Sequence, residues 1–280
     1  MSTATVTTTT GAPAPSGAAN RDAHTVTFPR AVRSEWIKLV SLRSSWITFA
    51  AAVVAIVGLG ALISYVTNSH WAHMPPQEHA RFEPVARSLG GVDLAQLAIG
   101  VLGVLVVTGE YATGMIRSSL MAAPRRLPVL GAKLVVFAAS TFVLTLPSAF
   151  LAFLAGQKLL GVHGTSLSAP HVLRSVIGVA LYLTVVAALA VGLGFLLRNT
   201  AGGIATLVAL LLVLPGIAHL LPDSWQTHVL PYLPSNAGGG VYAVQPEPGM
   251  LSTWTGFAVF CVWAVAALVL GAVVLRRRDA

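Results

Sequence analysis

The sequence predicts an all-α integral membrane protein with six transmembrane helices, both termini in the cytoplasm and an N-terminal amphipathic helix in the membrane interface. Composition, the recurrence of apolar runs and the distribution of cations support this prediction. Of 280 residues, 55% are hydrophobic and only 9% are charged, whereas a soluble domain carries about 25% charged residues. The mean hydropathy is +0.79. This composition is typical of a protein that lies in a membrane.

Six apolar runs of the sequence are long enough to cross a bilayer. A helix needs roughly 20 residues to span a hydrocarbon core of about 30 Å. The predicted spans are 46–66, 89–109, 129–155, 175–197, 201–221 and 254–275. With the N-terminal stretch they form one predicted transmembrane domain over residues 30–280.

The lysines and arginines are distributed unevenly between the two sides that these spans define. An even number of spans puts both termini on one side, together with the 2–3 and 4–5 connections. That side carries thirteen of the seventeen cations, namely Arg21, Arg30, Arg33, Lys38, Arg43, Arg117, Arg125, Arg126, Lys133, Arg198, Arg276, Arg277 and Arg278. The positive-inside rule therefore places both termini in the cytoplasm. Topology also accounts for the net charge of +8 without a nucleic-acid partner.

The N-terminal region divides into a polar tail and an amphipathic stretch. Residues 1–29 are rich in Thr, Ala, Pro and Gly and lack the features of a secretory signal, which predicts a disordered cytoplasmic tail. In residues 30–45, helical spacing puts Trp36 on an apolar arc and Lys38 on the opposite polar arc, with Arg43 adding to the basic character. This pattern predicts an interfacial helix. The alternative is a solvated extension of the first span.

The longest connection on the outer side lies between the fifth and sixth spans. It contains "HVLPYLPSNAGGG", which is apolar enough between its prolines to dip back into the membrane interface. We interpret this stretch as a re-entrant or interfacial segment.

Catalytic signatures are missing from the sequence. It has no G-x-x-x-x-G-K-[ST] phosphate loop, no H-E-x-x-H zinc pair and no G-x-S-x-G nucleophile elbow. Most histidines fall in or beside outer loops at irregular spacing, without acidic or thiolate companions at ligand spacing. We therefore expect no catalytic residue, no metal and no cofactor bound by this chain.

One face of the second span carries polar and small residues. Asp93, Gln96, Gly100, Gly103 and Glu110 follow alternating steps of three and four with Val107 between them. Acidic and amide groups are costly against lipid, and glycines let a neighbouring helix approach closely. The stripe should therefore face protein or a hydrated path. We interpret the two glycines as helix-packing residues. For Asp93 and Gln96, two roles stay open: helix packing and the lining of a substrate path.

Three further stretches of the sequence are informative together: "SEWIKLVSLRSSW" before span one, "GEYATGMIRSSLMAAPRRLPVLGAK" between spans two and three, and "LPYLPSNAGGG" before span six. They resemble the permease subunit of ABC-2 type transporters, especially the short six-span permeases of high-GC, actinobacterial-type bacteria. The middle stretch is the most specific. The resemblance covers about residues 30–275.

The resemblance implies a role for each stretch. The first would be an interfacial connecting helix, the second would carry a coupling helix that touches a cytoplasmic ATPase, and the third would lie partly within the membrane face. Residues 110–126 would form the ATPase-facing surface, with Glu110 at the membrane end of span two. Its other candidate contacts are the apolar Met115, Ile116 and Leu120 and the cationic Arg117, Arg125 and Arg126.

The same resemblance implies the partners and the location. ATP would be bound by a separate ATP-binding cassette protein, and the chain would lie in the bacterial cytoplasmic membrane. Six spans are half of the usual transporter bundle, so we expect a homodimer, or a pair with a different permease. Nothing in the sequence selects a substrate among the drugs, lipids, peptides and glycans that this family exports.

Three function classes compete at this point: a permease driven by a partner ATPase, an ion- or proton-coupled secondary transporter, and an intramembrane enzyme or scaffold. A secondary transporter usually has ionisable residues deep in its spans. Asp93, Glu110 and Lys133 all lie near span ends. The sequence therefore favours the ATPase-driven permease.

Overall fold

The computed structural model describes residues 27–80, 82–115, 127–218, 220, 222–245 and 248–277. All regular structure within these residues is helical. The α-helices are Phe28–Ser41, Arg43–Val54, Gly60–Ser69, Pro76–Ala80, Pro84–Leu89, Val92–Ala112, Leu127–Leu160, Val172–Leu197, Thr200–Val208, Leu214–Ala218, Asp223–His228, Pro234–Gly239 and Thr253–Arg277. Short 3-10 helices are Trp71–His73, Gly161–His163 and Leu230–Tyr232, and π-helical turns are Ala55–Leu59 and Ala209–Val213.

These helices form six segments that are long and apolar enough to cross a membrane. Spans 1 to 6 are Arg43–Ser69, Pro84–Ala112, Leu127–His163, Val172–Leu197, Thr200–Ala218 and Thr253–Arg277. The predicted all-α class with six membrane-crossing helices is therefore confirmed.

Span 3 is longer than the predicted 129–155, because the helix continues at its far end with polar residues that have partners. Gly156 lies against Ser88 and Ser64 of spans 2 and 1. The Gln157 side-chain amide donates to Ser88 Oγ at 2.7 Å and to the Pro84 carbonyl oxygen at 3.1 Å. The side-chain amide of Gln157, which lies beyond the predicted end of the span, is thus satisfied inside the bundle.

Span 4 forms the centre of the bundle. Within its most apolar 18-residue stretch, 72% is buried, whereas the figure for spans 5 and 6 is 28%. Span 4 packs against spans 2, 3 and 6. A Cβ added to Gly192 would lie 2.7 Å from the Leu268 nitrogen of span 6, and one added to Gly194 would lie 2.8 Å from Val107 Cβ of span 2. Small residues on span 4 thus allow its neighbours to approach closely.

Contacts between span ends define the two ends of the bundle. At one end, the Arg198 guanidinium after span 4 donates to the Val274 carbonyl oxygen of span 6 at 3.0 Å and lies 5.1 Å from the centre of the Tyr111 ring of span 2. The N-terminal helix Phe28–Ser41 packs against span 3 at this end, which we call the basic end. At the opposite end, the Trp71 ring stacks on His163 after the long helix of span 3. The assignment of the basic end to the cytoplasm stays a prediction.

The N-terminal helix differs from the predicted segment 30–45 in both of its bounds. It begins at Phe28, within the predicted tail, and it ends at Ser41 because Leu42 is extended, with φ −86° and ψ 116°. Trp46 Nε1 donates to the Val40 carbonyl oxygen and Ser41 Oγ donates to that of Lys38, which satisfies acceptors that the helix end leaves free. Arg43 consequently belongs to span 1. Residues 1–26 of the predicted tail lie outside the described part.

The buried face of this helix also differs from the predicted one. Ala31, Glu35 and Leu39 are buried, whereas Trp36 is 52% exposed. The helix therefore packs on the bundle through a face that carries an acidic residue, and its Trp36 side points away. Its place in the membrane interface stays a prediction.

Candidate functional site

Part of the predicted ATPase-coupling surface falls within the described residues. Ile116, Arg117, Leu120, Arg125 and Arg126 lie outside them. Met115 is 48% exposed, as a surface contact requires.

Glu110 lies in a group of four charged residues, Glu35, Lys38, Glu110 and Lys133, which we call the charge cluster. Lys133 Nζ donates to Glu35 Oε2 at 2.6 Å and to Glu110 Oε1 at 2.8 Å. Lys38 Nζ donates to Glu35 Oε1 and to Glu110 Oε1, both at 2.8 Å. Two ammonium groups and two carboxylates thus alternate in a closed ring of ion pairs.

Three elements bring these four residues together. Glu35 and Lys38 are three residues apart on the N-terminal helix and therefore share a face. Glu110 lies at the end of span 2, and Lys133 lies in the second turn of span 3, about 9 Å along the helix from its first residue. The charge cluster joins the N-terminal helix to both ends of the 2–3 connection.

Burial makes the pairing obligatory for Lys133. Its side chain is 2% exposed, and those of Glu35 and Glu110 are 7% and 9% exposed. An unpaired charge would be strongly unfavourable at such positions, so buried ionisable groups need partners of opposite sign. The four formal charges sum to zero, which lets the group stay within the bundle.

The fourth member, Lys38, is the most accessible, with a side chain 29% exposed. Burial lowers its pKa, but the hydrogen bonds to Glu110 and Glu35 and the negative charges of these two carboxylates together raise it by more, so the pKa lies above its usual value of 10.5. Lys38 therefore stays charged at neutral pH.

Two members of this group, Glu35 and Lys133, received no role from the sequence. Glu35 is the one acidic residue in a basic stretch, and Lys133 is the one cation inside the apolar start of a span. Each charge is unusual in its local sequence. Two such unusual charges of opposite sign are the signal from which an ion pair between Glu35 and Lys133 could have been predicted. The Glu110 carboxylate is buried between two lysines, and its place at the membrane end of the ATPase-facing surface stays a prediction.

The polar stripe of span 2 packs against other helices along most of its length. A Cβ on Gly103 would lie 2.7 Å from Ala190 Cβ and 2.8 Å from Phe137 Cε1, and one on Gly100 would clash with the Leu207 side chain. Gln96 is buried and its Oε1 accepts a hydrogen bond from the Tyr182 hydroxyl. These contacts are those that the packing interpretation expects.

Asp93 stands apart from the rest of the stripe because it is exposed on the surface of the described chain. Asp93 lies in the first turn of the helix Val92–Ala112, where the helix dipole favours a carboxylate.

Residues 230–244, which contain the predicted re-entrant stretch except for its first two residues, insert between spans 4 and 6. A Cβ on Gly178 of span 4 would clash with the Val241 carbonyl oxygen, and one on Gly256 of span 6 would clash with that of Ala237. A Cβ on Gly238 would lie 2.7 Å from the Tyr182 ring. Glycines on both sides thus let the backbone of this segment enter the bundle.

Two charged residues fix the end of segment 230–244. The Arg174 guanidinium donates to the carbonyl oxygens of Ala243 at 2.8 Å and Val244 at 2.7 Å, and to Thr253 Oγ1 at 2.7 Å. Glu83 Oε1 accepts from the Val244 backbone N–H at 3.2 Å. Burial raises the pKa of Glu83, and the Val244 hydrogen bond opposes this shift in part.

The described residues contain no group of three or more histidine, cysteine or acidic side chains placed to hold a metal ion. Two of the histidines in the predicted outer loops contact an aromatic ring. Trp71 lies 3.7 Å from His163 and 4.6 Å from His79, measured between ring centres.

Six membrane-crossing helices, of which the fourth is the most buried, define a multi-pass membrane protein. Residues 31–216, about two thirds of the chain, match the family model described as ABC-2 family transporter protein. The chain therefore belongs to the ABC-2 transporter family, which confirms the predicted resemblance to ABC-2 type permeases. The match includes the charge cluster and ends before segment 230–244. No curated protein matches the chain significantly.

Proposed function

We propose that the chain is the membrane-spanning subunit of an ATP-binding cassette exporter of the bacterial cytoplasmic membrane. A separate cytoplasmic ATPase binds and hydrolyses ATP, and the permease moves the substrate. The chain itself contributes no catalytic residue and no bound cofactor. Membership of the ABC-2 family supports the permease role.

The observation that carries this proposal is the charge cluster at the two ends of the 2–3 connection. Glu110 precedes the connection and Lys133 follows it, and the two pair at 2.8 Å. Both are also paired with the N-terminal helix, through Lys38 and Glu35 respectively. A force applied to the connection therefore acts on the N-terminal helix and on spans 2 and 3 as one unit.

The proposed docking surface is the connection itself, from Met115 to Arg126. A short helix that fits a cleft on the ATPase gains affinity mainly from buried apolar contacts, while rim cations tune the rate of encounter and its salt dependence. Met115, Ile116 and Leu120 are the proposed apolar contacts. Glu110 acts as a positioning residue, because it fixes the membrane end of the surface from within.

We propose a homodimer as the working unit, with a different permease as the alternative partner. Spans 1, 5 and 6 are buried over only 33%, 28% and 28% of their most apolar windows. These apolar faces leave room for a second copy, and Asp93 lies exposed on span 2. A carboxylate facing lipid is costly, so a path between two copies would account for its position.

The test is co-purification with the cassette ATPase that we propose as the partner of this chain. Ile116→Asp combined with Leu120→Asp should leave insertion and expression intact and abolish both co-purification and transport-linked ATP hydrolysis. The matched control places the same two changes at the opposite end, as Val162→Asp with Leu220→Asp, where the side chains are 93% and 85% exposed. Retained co-purification in the first variant would contradict the docking surface.

The buried ionisable side chains of the charge cluster give one reason to test an ion-coupled secondary transporter as well. Such a transporter would move substrate in proteoliposomes that contain the permease alone and an imposed proton gradient. The ATPase-driven permease would move substrate only when the partner and ATP are added.

A further inference from the structure

A groove of about 200 Å³ lies where the N-terminal helix, span 1 and span 3 meet. The chain turns at the extended Leu42 between the first two of these elements. Trp46 lines the groove and holds this corner, because its indole N–H donates to the Val40 carbonyl oxygen at 2.8 Å. Val143 of span 3 also lines the groove and is 66% exposed. The groove therefore opens on the outside of the bundle, where a membrane-crossing helix faces lipid.

The lining of this groove is apolar and includes the rings of Trp36 and Phe49. It also contains two serines, but Ser140 Oγ donates to the Val136 carbonyl oxygen at 2.8 Å within its own helix. Ser45 Oγ is buried and therefore does not face the groove. Sites that enclose a drug-sized ligand measure roughly 300–1,000 Å³. The groove is smaller than these sites and suits a single hydrocarbon chain.

Two exposed arginines lie beside the groove. Arg43 precedes Trp46 by three residues and Arg33 precedes Trp36 by three, so each shares a helix face with a lining tryptophan. The side chains of both arginines make no ion pair or hydrogen bond within the described part of the chain. The three elements around the groove carry one acidic residue, Glu35, which is buried against the lysines of the charge cluster. The positive charge beside the groove therefore has no acidic side chain on these elements to neutralise it.

We propose that the groove binds an anionic phospholipid from the leaflet at the basic end. One acyl chain lies against Trp36, Phe49 and Val143, and the phosphate accepts hydrogen bonds from Arg43, while Arg33 adds to the attraction. A guanidinium matches a phosphate through two charge-assisted hydrogen bonds, and basic residues beside a membrane span attract anionic lipids. A zwitterionic lipid brings a cationic headgroup to the same arginines and should bind less tightly. The site goes beyond the proposed function, since binding requires neither the ATPase nor transport.

Native mass spectrometry of the full chain in a neutral detergent tests this site with three probes. Dioleoyl phosphatidylglycerol is anionic, dioleoyl phosphatidylcholine has the same chains with a zwitterionic headgroup, and glycerol phosphate has a phosphate without a chain. We expect saturable binding of phosphatidylglycerol, binding of phosphatidylcholine that is roughly fivefold weaker or worse, and no saturable binding of glycerol phosphate. Equal affinity for the two lipids or saturable binding of glycerol phosphate would overturn the proposal. So would the absence of saturable lipid binding, which is the result if a second copy covers the groove.

Two variants locate the binding. Arg43→Gln should weaken the binding of phosphatidylglycerol by roughly fivefold or more. Its control is Arg277→Gln, which removes an exposed cation of span 6 at the same end and should leave the affinity unchanged. Ala139→Phe should weaken the binding of both lipids by filling the groove, because Ala139 is exposed and lines it. Its control is Ala51→Phe, at an exposed alanine of span 1 outside the lining.

The second variant keeps the test decisive if Arg43→Gln does not insert correctly, since Ala139→Phe leaves every charge in place. An equal loss of affinity in Arg43→Gln and Arg277→Gln would show unspecific attraction and overturn the proposal. Wild-type affinity in Ala139→Phe would place the chain elsewhere and overturn it as well. These measurements use no ATPase, so their outcome is separate from that of the co-purification experiment.

Discussion

The two ends of the bundle each hold a flanking segment against the spans, but by different physical means. At the basic end, the N-terminal helix is held by charges on long side chains, whose polar atoms meet at 2.6 to 2.8 Å. At the opposite end, segment 230–244 is held by backbone contact with glycines and by the guanidinium of Arg174. Long side chains can follow a neighbour that moves, whereas a carbonyl oxygen against a Cα cannot. The comparison therefore indicates that contacts at the basic end can adjust, whereas those at the opposite end cannot. We call them the adjustable end and the fixed end.

The largest expected effect comes from removing one charge of the adjustable end. Lys133→Met leaves two buried carboxylates with Lys38 alone and should lower the free energy of unfolding by about 3–5 kcal/mol. Thermal unfolding of the purified protein measures this loss. Adding Glu110→Gln should recover part of it, because the double variant again balances the charges. If the single variant unfolded at the wild-type temperature, the cluster would contribute no stability and the comparison would fail.

The next effect concerns the fixed end. Gly178→Val should destabilise the protein by about 1–3 kcal/mol, because the new side chain collides with the Val241 carbonyl oxygen. Gly216→Val on span 5 is the control, since an added Cβ there meets nothing within 4 Å. Thermal unfolding of both variants gives the difference. Equal stability would show that segment 230–244 can shift, which would remove the distinction between the ends.

A third test sharpens the comparison within span 2, which reaches the basic end. Gly103→Leu should cost about 1–3 kcal/mol of stability because of its contacts with Ala190 and Phe137. Gly109→Leu, six residues further along the same span, should cost little, since the space around Gly109 is open. Purification yield and thermal stability of the two variants provide the measurement. Normal values for Gly103→Leu would show that the packing contact is not rigid.

The smallest effect is the response of the adjustable end to pH. The pKa of Lys38 is raised in the folded state, so its contribution to stability is fully present below the unfolded value of 10.5 and is lost as the pH rises through the folded value. Stability should therefore fall at alkaline pH more steeply in the wild type than in Lys38→Met. Lys158→Met, at an exposed site of the opposite end, should keep the wild-type slope. Identical slopes in all three proteins would contradict a charge-held end.

The fold followed from the sequence because the signal for membrane spans is strong. Apolar length alone located six spans, and each one is found within a few residues except where polar residues extend span 3. That extension was invisible because Gln157 is polar in sequence and becomes tolerable only through Ser88, 69 residues away. Such long-range partners have no local pattern.

The candidate site could be predicted only in part from the sequence, because its ion pairs also join residues that are far apart along the chain. Family resemblance placed Glu110 in the coupling region, and the spacing of the stripe identified the close packing of Gly103. The role of Glu35 depends on Lys133, 98 residues away. No periodicity within one helix predicts that the N-terminal helix turns its acidic face to the bundle.

The neutrality of the charge cluster has a consequence for how this family can vary. A change that removes one lysine leaves a buried carboxylate uncompensated, so a tolerated substitution at position 133 must be accompanied by one at position 35 or 110. Relatives should consequently carry either the whole set of opposite charges or an uncharged set, and rarely an odd number. Substitutions at positions 35, 38, 110 and 133 should therefore occur together in related sequences, because a single substitution leaves a buried charge without a partner.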